Sequence, residues 1–168
     1  MFHATGRIAG ALAVLAALSL APGVRAQSAD DHDALAGMRD MKVAFDLHEG
    51  DAKALLARLN LIDETRQSLI KQGVTPHMVV AFRGPATRLV QSDADKIKPE
   101  DRPVAAQIAA KVAEMARAPG VDGFEQCSLA IRQQGTRAEN VVAPVKVVGN
   151  GWISLMAYQA RGYAYISP

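Results

Sequence analysis

At 168 residues the chain has room for one ordinary domain with a sizeable core, and not for two comfortable ones. Its residues are 49% apolar and 21% charged, a balance that excludes a disordered chain. One cysteine excludes an internal disulfide, and a formal net charge of +2 gives little electrostatic reason to bind nucleic acid.

The N-terminus reads as a secretory signal peptide over residues 1–26. Arg7 supplies a sparse positive start, Ile8 to Leu20 is an almost unbroken apolar run, and Pro22-Gly23 ends any helix. Val24-Arg25-Ala26 then offers the short side chains at which a signal peptidase cuts. The apolar run falls short of the roughly 20 residues needed to cross a bilayer, which favours cleavage over an uncleaved anchor. The expected product is periplasmic or secreted, with no membrane attachment after cleavage. Cleavage removes Arg7 and Arg25 and no acid, leaving 17 bases against 17 acids. A neutral chain of this kind gives no reason to expect nucleic acid or anionic lipid as a partner.

Residues 27–40 are polar and acidic and read as a flexible leader. The domain is expected over 41–168. Met41 to Leu47 is its first strand, apolar on both faces and so covered on both sides. His48-Glu49-Gly50-Asp51 is a turn with Asp51 as N-cap. A helix follows from Ala52 to about Gln72, with Leu55, Leu59, Ile62 and Leu69 on one face and Gly73 closing it.

The second strand runs from Pro76 to Phe82 into Arg83-Gly84-Pro85, and a short helix is expected over Ala86 to Gln91. Ser92 to Glu100 reads as a polar surface loop. Pro103 opens an Ala-rich helix reaching about Ala118, with Val104, Ile108, Val112 and Met115 as its stripe. Val121 to Gln126 is the third strand. Cys127 sits at its end, and about two turns of helix carry the chain from there to Gly135. Val145 to Val148 is the fourth strand, Trp152 to Ala160 the last helix, and Tyr163 to Ile166 the last strand. Helices alternate with strands throughout, which predicts a mostly parallel five-stranded sheet in an α/β fold, with helices on both faces.

In open sheets of this kind ligands sit beyond the carboxyl ends of the strands. That rule selects Asp46 and His48, Arg83 and Gly84, Cys127 and Ser128, and Asn150. Three fates are open to the single thiol of an exported protein: an intermolecular bridge, inert burial, or retention for its chemistry. At the start of a helix, N–H groups and the dipole favour a thiolate, which makes Cys127 the leading candidate for chemistry. Arg83 suits an anion but equally an ordinary surface or interface role. Asp46 and Glu49 read as solvated or capping turn residues, and Trp152, Met156 and Tyr158 as a face packed on the sheet or on another subunit. His48, His77 and Cys127 lack close ligand spacing, and no glycine-rich fingerprint follows the first strand, so neither metal nor nucleotide cofactor is expected.

The stretches Lys42 to Leu47, Asn60 within the first helix, Val79 to Pro85, Gly120-Val121 leading to Cys127, and Gln159 to Pro168 together resemble the DsrE-type superfamily. The closing Gly162-Tyr-Ala-Tyr-Ile-Ser-Pro168 is the most specific of these. That superfamily includes the DsrE/DsrF/DsrH and TusB/TusC/TusD sulfur-relay proteins. The resemblance implies a three-layer α/β/α fold and a homo-oligomer, a trimer or hexamer. It further implies a sulfur-carrier role in which Cys127 bears a persulfide and exchanges it with a donor or acceptor protein. Ser128, Arg83, Gly84, His48 and Asn60 are then the expected surroundings of that cysteine. The alternative is a non-catalytic oligomeric module that binds a small molecule or another protein with the same pocket.

Overall fold

The computed structural model describes Met1 and residues 30–168. The chain divides into two units, Met1–Asp30 and Asp31–Pro168, and every element below belongs to the second. The expected signal peptide, apart from Met1, lies outside the described residues, as do residues 27–29 of the leader. No helix among the described residues is long and apolar enough to cross a membrane.

Five strands form one parallel sheet: β1 (Asp40–Leu47), β2 (Thr75–Phe82), β3 (Val121–Cys127), β4 (Lys146–Val148) and β5 (Ala164–Ile166). Their order across the sheet is β4-β3-β2-β1-β5. The helices are α1 (Ala52–Lys71), α2 (Arg102–Met115), α3 (Ser128–Gln133) and α4 (Gly151–Ala160). The sequence places each of these within a few residues. Asp51 caps α1 as expected, its Oδ1 accepting from the Ala54 amide at 2.8 Å. From Asp31 onward the leader is tied down, for the Asp31 amide donates to Gln72 Oε1 at 2.9 Å.

Strand alternation divides the interior into two unequal halves. Val43, Phe45 and Leu47 of β1, Met78, Val80 and Phe82 of β2, and Phe124 of β3 face one side, where α1 and α2 cover them with Leu55, Leu59, Ile108, Val112 and Met115. This is the main core. The buried carboxylate of Asp63 pins the two helices together, accepting from Arg66 Nε and Lys111 Nζ at 2.8 Å each. On the other face the core is thin. Ala44 and Ala81 pack against Leu155 of α4, with Tyr158 and Tyr163 alongside.

The unequal halves follow from topology. The path β1 to β2 to β3 to β4 moves steadily towards one edge, and right-handed crossovers keep its helices on one side. The chain then returns across the whole sheet from β4 to β5, so α4 must lie on the opposite side. That reversal opens a crevice at the carboxyl ends of β3 and β4, the kind of place where such sheets bind ligands.

Two local expectations need correction. The helix expected over Ala86 to Gln91 is a 3-10 turn over Gly84–Arg88. Gly84 enters it with φ +50°, and Thr87 Oγ1 donates back to the Gly84 carbonyl at 2.7 Å, closing a tighter turn than an α-helix allows. The loop from Ser92 to Glu100 is not wholly superficial. Ile97 between its two 3-10 turns is 7% exposed and joins the main core.

Candidate functional site

β3 runs directly into α3, so Cys127 is both the last strand residue and the N-cap of a six-residue helix. It is 6% exposed. Its sulfur accepts a hydrogen bond from an amide of another helix: Gly151 N, the first residue of α4, donates to Cys127 Sγ at 3.2 Å. Ser128 Oγ donates to the Gly149 carbonyl at 2.7 Å, and Asn150 Oδ1 caps α4 by accepting from the Trp152 amide at 2.9 Å. The turn Gly149-Asn150-Gly151 is therefore folded over the end of β3. Only glycine fits at position 151, since a Cβ there would lie 2.7 Å from Arg83 Cδ and 3.1 Å from Cys127 Cβ.

Arg83 follows β2 and meets Asp46 of β1. Its Nε donates to Asp46 Oδ1 at 2.6 Å, and its Nη2 bonds and ion-pairs with Asp46 Oδ2. Tyr165 of β5 donates to Asp46 Oδ2 at 2.7 Å, and Ser167 Oγ donates to the Asp46 carbonyl at 3.3 Å. Burial alone would raise the Asp46 carboxyl, yet the bonds from Arg83 and Tyr165 outweigh it and hold the group below the ordinary 3.8. The same pairing with Asp46, with lesser contributions from Tyr165 and Cys127, raises Arg83 above its ordinary value. The guanidinium also lies 5.8 Å from the Trp152 ring centre. It is thus a fixed, permanently charged group.

Two cavities meet at Arg83 and Trp152. One, of about 210 Å³, is walled by Arg83, Gly84, Cys127, Ala130, Asn150 and Trp152 among others. The second, about 290 Å³ and more open, has Asp46, Arg83, Trp152, Met156 and Tyr165 in its walls. Cys127, although buried, is one of the residues that wall the first.

Of the residues singled out in the sequence, Cys127, Arg83, Gly84 and Asn150 come together around this cavity. Ser128 lies beside it and braces the covering turn. His48 is exposed and lines neither cavity, although its Cβ lies 3.7 Å from where a side chain on Gly84 would begin. Asn60 sits on the solvent side of α1, away from both cavities. It immediately follows the buried Leu59, and one step along a helix turns it out of the core. His77 lies at the other end of the sheet, 3.5 Å from both Asp40 and Asp122. Among the described residues no group of three His, Cys, Asp or Glu could hold a metal ion.

Sequence reasoning selected Asp46 by its position but misread its setting, and did not single out Glu125. Asp46 reads as a turn residue but is fully buried, and Glu125 is 8% exposed. Strand parity contains the signal: Asp46 shares a face with Ala44, and Glu125 with Cys127, both turned towards α4. Glu125 is held by two hydroxyls of α4, Ser154 Oγ and Tyr158 OH, the latter at 2.9 Å. Burial first, and then this carboxylate, push Tyr158 up to about 12.

No family model matches the chain. It is similar to an uncharacterized protein of Aquifex aeolicus (strain VF5), 25% identical over 126 residues, which is 75% of this chain and 55% of that protein. The chain thus spans about half the length of the curated relative it matches. Among solved structures it resembles MTH1491, a protein of unknown function from Methanobacterium thermoautotrophicum. The TM-score is 0.55 at 22% identity, over 77% of this chain and all of that one. The fold is shared. The likeness supports the parallel α/β/α architecture and says nothing of chemistry.

Proposed function

We propose that the chain is an exported DsrE-type sulfur carrier, in which Cys127 accepts a sulfane sulfur as a persulfide and passes it to an acceptor thiol. The observation that carries this reading is the position of Cys127, a wall residue of a small cavity that it shares with Arg83, its Sγ hydrogen-bonded by the Gly151 amide. An amide donor and a nearby cation both favour a sulfur anion, the form that attacks a sulfane donor and that a persulfide retains. The closing Tyr165 and Ser167, part of the stretch most similar to the DsrE-type proteins, are bonded to Asp46 and so support the same cluster.

The carrier is proposed to work outside the cytosol after loss of its signal peptide, and as a homo-oligomer that meets a donor or acceptor protein. The outer face of α4 supports assembly: Trp152, Ile153 and Met156 are each at least 60% exposed, beside Tyr165 and Ile166 of the edge strand β5.

Mass spectrometry of the intact chain after incubation with thiosulfate or polysulfide tests the carrier reading. A gain of one or more sulfur atoms is expected, and it disappears in Cys127→Ser. A gain that survives the substitution is nonspecific. The near-complete burial of Cys127 favours the second reading, a binding module that uses the same cavity without covalent chemistry. Absence of any gain, together with resistance of Cys127 to alkylation in the folded chain, would select that module.

A further inference from the structure

We infer that the cavity beside Cys127 is a receptor for a small sulfur oxyanion of the thiosulfate class, held by the Arg83 guanidinium, so that the sulfur donor is a small molecule. The inference deepens the carrier reading of Cys127 and rests on it for the covalent step.

The first reason is charge. A guanidinium carries five N–H donors, and Arg83 spends only Nε and Nη2 on Asp46. The cavity that holds Cys127 has no carboxylate in its walls, whereas the neighbouring one contains Asp46. Arg83 therefore borders two cavities, one that contains its acid and one free of acids. Such a side chain, anchored by one carboxylate and with donors to spare, is built to bind a second anion. Asn150 joins it in the same wall.

The second reason is size. About 210 Å³ is room enough for an anion of a few heavy atoms. It is below the range of about 300 to 1,000 Å³ usual for drug-sized ligands and cofactors. The third reason is position. A Cβ on Gly151 would touch Arg83 and Cys127 at once, so the two side chains converge over that glycine. An oxyanion held in this cavity by Arg83 shares its walls with Cys127.

The transfer balances without any further reactant. The Cys127 thiolate attacks the outer sulfur of S–SO₃²⁻, and a new S–S bond forms at Sγ. The bond from sulfane sulfur to the sulfonate breaks, and its electron pair leaves with sulfite. The products are Cys127–S–S⁻ and SO₃²⁻, with the total charge unchanged.

The chain has one tryptophan, Trp152, and it lines this cavity, so its fluorescence reports occupancy. The experiment titrates Cys127→Ser protein, which cannot react at this position, with sodium thiosulfate, sodium chloride holding the ionic strength constant. A saturable change is expected. It should weaken at least roughly tenfold when Asp46→Asn and Arg83→Gln are added together, which removes the donor charge without stranding its partner. Ala130→Leu fills the cavity and leaves the ion pair in place; it should weaken binding comparably, and it serves if the charge variant fails to fold. No saturable change in Cys127→Ser, or a change that both variants leave intact, overturns the inference. Sulfur uptake at Cys127 from a persulfidated protein, without thiosulfate binding, would also overturn it while sparing the carrier reading. Saturable binding without any Cys127-dependent mass gain would retain the anion site and remove the carrier.

Discussion

The amide of Gly151 points at the sulfur of Cys127 from 24 residues further along the chain, at 3.2 Å. The helix that begins at the cysteine itself has only six residues, and the ten-residue α4 supplies the donor instead. The hydrogen bond to the thiol therefore comes from the turn after β4, which makes that turn the first place to test.

Replacing Gly151 with alanine should damage both stability and the site. Its new methyl would meet Arg83 Cδ, and Arg83 cannot swing aside while both its Nε and Nη2 hold Asp46. A loss of about 1 to 3 kcal/mol is expected in urea unfolding, the usual cost of overpacking. Iodoacetamide alkylation of Cys127 in the folded chain should change rate as well. Wild-type stability in Gly151→Ala would show that the turn is looser than described.

The Asp46 cluster should confer acid-sensitive stability. The folded carboxyl lies below its ordinary 3.8, so its contribution is complete above that value and is lost as pH falls through the folded one. Asp63, held down against its own burial by Lys111 and Arg66, acts with the same sign. Comparing urea midpoints at pH 6 and pH 3 in wild type and Asp46→Asn separates the two. The variant should lose less on acidification, because only the Asp63 share remains. Arg83→Met alone should cost about 3 to 5 kcal/mol near neutrality, since it strands a buried carboxylate.

Alkaline titration should expose the Tyr158–Glu125 contact. All three tyrosines are raised above 10.0, and Tyr158 reaches about 12. A folded value above the unfolded one stabilises fully below about pH 10, and that share is lost as pH rises through the folded value. Phenolate absorbance should thus lag behind that of free tyrosine, and Tyr158→Phe should remove the latest component. The same variant deprives Glu125 Oε1 of its donor at a cost of about 1 to 3 kcal/mol. Ionisation of all three together near pH 10 would contradict the buried contact.

The proposed assembly through α4 predicts that Ile153→Glu, on its exposed face, lowers the sedimenting mass without altering the circular dichroism. A wild-type chain that already sediments as a monomer would remove the assembly proposal.

Much of the fold was legible because local rules suffice for it. Leu55, Leu59, Ile62 and Leu69 recur at helical spacing, Asp51 caps, Gly73 closes at φ +81°, and apolar runs bounded by turn residues mark β1 and β2. Such features depend on neighbours a few positions away. Alternation of helix and strand then implied a parallel sheet, and the carboxyl-end rule selected Asp46, His48, Arg83, Gly84, Cys127, Ser128 and Asn150, of which Arg83, Gly84, Cys127 and Asn150 line one cavity.

Strand order was beyond that reach, because the pairing of β5 beside β1 is a contact between distant parts of the chain. On that pairing depends the placement of Tyr165 and Ser167 on Asp46. The reversal after β4 likewise brings Gly151 over Cys127 and Arg83 alongside. By itself the sequence determined the elements, the layered architecture and the cysteine at the strand-to-helix junction, since each follows from periodicity and turn chemistry. Only the tertiary structure decided which acid holds Arg83, which amide meets the sulfur and that a cavity lies between them, because those relations join residues that are close in space and far apart in the chain.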